Sequence, residues 1–175
     1  MKKEKRQNVF KSVKMLTFAA MLTAIGVVIG LVCKTFLDFG GVFRVTFENL
    51  PIIMSGILFG PIVGGIVAAA VDIISAVSAG QSPLPFVMVG SVSIGVISGV
   101  MSKYVVRKKG TKQIILSAGA AHFIGSMIIK PLALFQIYQW AAFFRIPVYL
   151  VIVPIEILIL CLLFKNKAFC KAVDY

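Results

Sequence analysis

From Met15 to Cys33 the chain carries no charged residue. A run of that length is about what an α-helix needs to cross a hydrocarbon layer roughly 30 Å thick. It has no polar face to turn toward water. Comparable runs recur to the C-terminal end, so the solvent for this fold is lipid. Backbone polar groups inside lipid must be satisfied within the protein. Composition agrees: 59% of residues are hydrophobic and 14% charged, against about 25% charged in a soluble domain. At 175 residues there is room for one domain, 1–175.

Turn signals divide the chain into helices at roughly 12–35, 49–59, 62–79, 85–106, 113–135 and 147–165. Gly60-Pro61 and Gly80 to Pro85 are the tight connections. The basic RKKGTK, the aromatic YQWAAFFR (138–145) and a loop at 36–47 are the others. The expected fold is an all-α integral membrane bundle of six transmembrane helices. Most of the 18 lysines and arginines fall in three clusters: Lys2 to Lys14, Lys103 to Lys112 and Lys165 to Lys171. Six crossings place all three on one side, and the positive-inside rule makes that side, with both termini, cytoplasmic. Clusters flanking apolar helices account for the net charge of +12 without nucleic acid as a partner. The first apolar run is longer than a signal-peptide core and no A-x-A site follows it, so it is expected to be retained as a helix.

The second helix is too short for its task. Eleven residues rise about 16 Å, half the hydrocarbon thickness. Asn49 suits an N-cap with Pro51 in the first turn, which starts the helix near 49 and leaves 36–48 to fold over its end. Non-helical backbone at membrane depth survives only when buried in protein or lining a cavity. An outward-facing cavity walled by this loop follows.

Outside the basic clusters few ionisable groups remain: Lys34, Asp38, Arg44, Glu48, Asp72, His122, Lys130, Arg145 and Glu156. Each costs about 2.5–3.5 kcal/mol at mid-membrane on insertion scales, so each is expected to pair or to serve a polar site. Lys34 and Asp38 are expected at the interface. His122, Ser126 and Lys130, four apart, share a helix face, as do Tyr149, Val153 and Glu156. Asp72 either fixes helix packing among its small neighbours or joins a site. Arg44 and Glu48 form either a structural ion pair or part of a polar lid. Arg145 either snorkels outward or faces a ligand. Tyr138 and Trp140 are either an aromatic belt or stacking platforms. Together, carboxylates and cations near aromatics suit a flat, polar, anionic molecule. A carboxylate accepts two N–H bonds from an aminopyrimidinone edge, and Arg and Lys hold ligand carboxylates.

Other chemistry finds little support. Cys33, Cys161 and Cys170 have no metal-ligand or disulfide spacing. There is no His-Glu-x-x-His for an intramembrane enzyme, and no phosphate-binding G-x-x-x-x-G-K-[ST] loop. Single mixed charges fit a binding pocket better than the repeated rings of a channel.

The stretch RVTFENLPIIMSGILFGPIVGGIVAAAVD resembles the first loop to third helix of the substrate-binding S components of energy-coupling factor (ECF) vitamin transporters. The shared pattern is an Arg-x-x-Phe loop, Leu-Pro at helix 2, Gly56, Phe-Gly-Pro and an Asp late in helix 3. The Arg-x-Thr-Phe-Glu-Asn-Leu-Pro variant, HFIGSMIIKPLAL and FRIPVYLVIVPIE are similar to the folate-specific subgroup, over about 40–165. One departure is Ala68 to Ala70, where another Gly often stands. The resemblance implies a six-helix, multi-pass protein of the bacterial cell membrane that binds a vitamin from outside. It also implies partners: a transmembrane coupling protein and two ATPase subunits that hydrolyse ATP on its behalf. Ala20 and Ala24 match the family's Ala-x-x-x-Ala motif, which packs against the coupling protein. The implied ligand is folate, with Arg44, Phe47, Glu48, Asn49, Asp72, His122, Lys130, Tyr138, Trp140, Arg145 and Glu156 as candidate contacts. Riboflavin, thiamine and a queuosine precursor are the alternative cargoes.

Overall fold

The computed structural model describes residues 13–39, 43–106, 110–140, 145–166 and 169–170. Helix α1 is Val13–Phe36, α2 Asn49–Phe59, α3 Pro61–Ser78 and α4 Pro85–Val100, the last running on in π-helical turns over Met101–Val105. Helix α5 is Thr111–Ala121, followed by a π stretch at His122–Ile129, α6 at Lys130–Tyr138 and α7 at Arg145–Lys165. Among the described residues, five continuous helical rods are long and apolar enough to cross a membrane: α1, α3, α4 with its π turns, α5 through α6, and α7. Helix α2, with 11 residues, is shorter.

The bundle is built around that short helix. Ile52 and Ile53 are fully buried, as are Ala68 and Val71 of α3, Ile94 of α4 and Leu160 of α7. A helix that is apolar on every side must be enclosed on every side, and α2 is enclosed by α1, α3 and α4. Glycine brings the backbones together. A Cβ at Gly64 would stand 2.4 Å from the Gly95 carbonyl oxygen, and one at Gly56 would stand 2.6 Å from it. Small residues at a crossing allow this approach, which substitutes van der Waals packing for the hydrophobic drive that lipid does not supply. The outward faces stay apolar: Val28 and Val32 on α1, Ile62 and Ile66 on α3, and Leu150, Val151 and Leu158 on α7 are all exposed.

Two features depart from a plain run of helices. The loop after α1 forms a short antiparallel ribbon, β1 (Asp38–Phe39) with β2 (Phe43–Arg44), pairing Asp38 with Arg44. The helix after the basic loop is not α-helical throughout, because its ladder widens to π turns immediately before Pro131. Proline supplies no N–H to the preceding turn and its ring crowds the carbonyl there. A π stretch relieves the same strain that would otherwise produce a kink.

The bundle has two chemically distinct ends. Lys103 lies beside Gly60, at the end of α2 where Lys112 of α5 and Lys165 of α7 also fall. The polar groups gather at the opposite end, where α2 begins. Much of each basic cluster, including Lys2 to Lys11, Arg107 to Lys109, Lys167 and Lys171, lies outside the described residues.

Candidate functional site

Helix α2 starts at Asn49, but Asn49 does not cap it. The capping position is Glu48, whose side chain makes no cap hydrogen bond. Both side chains are taken up by cations instead, and these two consecutive residues join two polar layers.

The outer layer is a charge network. The Lys34 ammonium, expected at the membrane interface, is buried. It donates to the Asp72 carboxylate at 3.2 Å, to the Asp72 main-chain carbonyl at 3.3 Å and to the Ser75 hydroxyl. Glu48 Oε2 lies 3.6 Å away, and Arg44 Nη2 donates to Glu48 Oε1 at 3.4 Å. The reach to lipid headgroups that a terminal lysine usually takes is outweighed by two carboxylates within 4 Å. Two acids, Asp72 in the third helix and Glu48 just before the second, both required a cation, and Lys34 is the one that α1 carries close to its outer end. That count was the available signal. Gly30, one turn before Lys34, makes the room: a Cβ there would stand 2.7 Å from Glu48 Oε2.

Lys34, Asp38, Arg44 and Asp72 help line a cleft of about 400 Å³, within the usual range for ligand pockets. The rest of its wall includes the α3–α4 turn (Gln81, Ser82, Pro83, Leu84), Val87 of α4 and Leu134 of α6. Sequence reading did not single out Gln81 or Ser82. Turn residues carry no pattern that distinguishes a wall from a connection.

The inner layer is deeper. Lys130 Nζ donates to Asn49 Oδ1 at 3.1 Å, its stem passing Gly90, where a Cβ would stand 2.6 Å from Lys130 Cγ. His122 and Glu156 are wholly buried, with Nε2 and Oε2 2.8 Å apart, though not aligned as a hydrogen bond. The other ring nitrogen of His122 lies 3.1 Å from Ser126 Oγ. This layer is under-satisfied. Both Glu156 carboxylate oxygens, His122 Nε2 and Asn49 Nδ2 find no hydrogen-bond partner among the described residues, and the same holds for Arg44 Nε and Glu48 Oε2 of the outer layer and for Thr46 Oγ1 and Ser117 Oγ. Buried polar atoms are rarely left so. Most of them fall around the start of α2 and the middle of α7.

Of the sequence candidates, Arg44, Glu48 and Asp72 meet in the outer layer, and Asn49, His122, Lys130 and Glu156 form the inner one. Phe47, next to Glu48 in sequence, is half-buried. Trp140 is exposed and packs edge-on against Phe135 at 5.7 Å. The side chains of Tyr138 and Arg145 lie outside the described part of the chain. Ala20 and Ala24 are both exposed on α1, and Ala20 borders an apolar groove of about 180 Å³ against Val63, Ile66 and Val67 of α3.

No curated protein sequence matches this chain. Among solved structures, a crystal structure of FolT bound with folic acid is similar in fold, with a TM-score of 0.62 at 22% identity. The likeness covers 82% of this chain and 92% of that one. The model for the ECF transporter substrate-specific component matches residues 14–164. That match takes in the apolar helices and both polar layers, and it establishes that the chain belongs to the ECF transporter substrate-specific component family.

Proposed function

We propose that this protein is the folate-binding S component of an ECF-type importer in a bacterial plasma membrane. The observation that carries the reading is the under-satisfied inner layer, where Lys130, Asn49 and Glu156 are all buried. The similarity in fold to a folic-acid-bound protein supports the choice of vitamin. A pterin presents adjacent N–H donors on its aminopyrimidinone edge. The Glu156 carboxylate, with Oε2 against His122 Nε2 and Oε1 without a hydrogen-bond partner among the described residues, suits that edge, with Glu48 and Asp72 as the other carboxylates near the cleft. Lys130, Arg44 and Arg145 take the glutamate carboxylates or balance the buried acids. Phe47, Tyr138 and Trp140 supply ring contacts.

In this reading the single domain crosses the membrane six times, α2 with the segment 37–48 making the incomplete crossing. Both termini face the cytoplasm and the cleft faces out. Residues Ala20 and Ala24 dock on the coupling protein, and the ATP is hydrolysed by two partner subunits. The exposure of both alanines, with Ala20 beside an apolar groove, supports that role.

The test is calorimetry on the purified, detergent-solubilised chain with folate, and with riboflavin and thiamine as controls. Tight one-to-one folate binding without ATP is expected. Tight binding of a control vitamin instead would overturn the choice of folate and leave the S-component reading standing. If Arg44→Ala and Glu48→Ala both bind folate as the wild type does, the roles given to these residues are wrong.

A further inference from the structure

The two buried lysines at the site differ in one respect that decides what each can do. A lysine ammonium has three N–H donors and no acceptor. All three donors of Lys34 are engaged within the protein, by Asp72 Oδ1, the Asp72 carbonyl and Ser75 Oγ. Ser75 in turn donates to the Val71 carbonyl at 2.6 Å, so its hydroxyl is also used up. Glu48 Oε2, at 3.6 Å, adds charge and a fourth oxygen. Lys34 therefore sits in a cage of oxygens drawn from α3 and the start of α2, tethered from α1. A hydroxyl, a carbonyl and two carboxylates around one positive centre are the ligands that a monovalent cation would take.

We propose that Lys34 is a built-in counter-cation. It is a positioning residue that occupies the place of a metal ion and makes no hydrogen bond to the ligand. The functional consequence is that the binding end is assembled without a dissolved cation, so ligand capture is not linked to sodium or potassium. Removing the ammonium creates that linkage. The two carboxylates then face each other, with Arg44 as the nearby cation, and the empty cage accepts a small cation from solution.

The cage is tested without any vitamin, so its failure and failure of the folate reading are separable. Full-length wild type and Lys34→Ala are purified in detergent, and their thermal unfolding is followed in methylammonium chloride and in choline chloride at equal ionic strength. Lys34→Ala is expected to melt roughly 10 °C below wild type, as befits an acid pair stripped of its buried partner. Methylammonium restores at least half of that loss. Choline, too large for the cage, does not, and wild type responds to neither. A variant that melts with wild type, or a loss that methylammonium leaves untouched, overturns the proposal. If Lys34→Ala fails to fold, Lys34→Ala with Asp72→Asn decides. Removing one negative charge should recover a foldable protein that no longer responds to methylammonium, and failure to recover it counts against the counter-cation.

Discussion

At the scale of the residue, what a buried cation does follows from how many of its donors remain. Lys130 is 3% exposed, and among the described residues its ammonium meets only the neutral Asn49 Oδ1. No described carboxylate lies within 4 Å of it. An ammonium with donors to spare is the group a ligand anion or carbonyl would seek. A hydrogen bond to a charged group contributes about 1.5–3 kcal/mol. Lys130→Met, which keeps the stem past Gly90, is therefore expected to weaken folate binding roughly ten- to a hundredfold by calorimetry. Unchanged affinity would remove Lys130 from the site. Substituting Gly30 tests the same layer from behind. In Gly30→Ala the new methyl meets Glu48 Oε2, a movable side-chain end, and also Ser75 Cβ at 2.9 Å, which α3 holds fixed. Gly30→Ala should therefore both lower the melting temperature and weaken folate binding, and Glu48→Asp added to it should not restore the melting temperature.

At the scale of the element, the same glycine-to-alanine change has opposite signs at two positions. Gly95 lies where α4 crosses α3, and a Cβ there would stand 2.2 Å from the Gly64 carbonyl oxygen. Neither helix can yield without the backbones parting, and forcing extra volume into such a contact costs about 1–3 kcal/mol or more. Gly119, inside α5, has nothing within 4 Å of where a Cβ would be. Alanine there only removes the entropy penalty of a helical glycine, about 0.5–1 kcal/mol. Gly95→Ala should lower the melting temperature by several degrees or prevent accumulation in the membrane. Gly119→Ala should raise it by about 1–4 °C. Equal effects at the two sites would contradict the crossing described for α3 and α4.

At the scale of the whole molecule, the proposed function puts binding and docking on different surfaces. The cleft lies at the end where α2 begins, whereas Ala20 lies nearer the start of α1, beside the groove against α3. Ala20→Trp fills the approach a partner helix would use and touches neither polar layer. It is expected to bind folate normally and to lose co-purification with the coupling protein and ATPases. Normal assembly would show that α1 docks elsewhere. Orientation is checked separately against the unsubstituted chain with a membrane-impermeant maleimide. Ser82→Cys, at the cleft, should label on intact cells, and Lys112→Cys, at the basic end, only after permeabilisation. The reverse pattern would invert the proposed topology.

Hydropathy alone determined that the chain is a membrane bundle and where its apolar helices lie, because lipid permits so few solutions for a backbone. The shortness of α2 was equally legible, and it pointed to the segment before it as the wall of a cavity. Paired acids and bases were legible as a set, since each stray charge in lipid needs a reason. Which partner each one takes was decided only in three dimensions. Lys34 reads as an interfacial lysine until α1 is laid against α3, and Asn49 reads as a cap until Lys130 arrives from 81 residues away. The π turns before Pro131 set the register of that arrival, and no periodicity announces them. Sequence spacing reports which residues share a face of one helix. Partners across helices depend on crossing points, and here glycines with no side chain of their own decide where those fall.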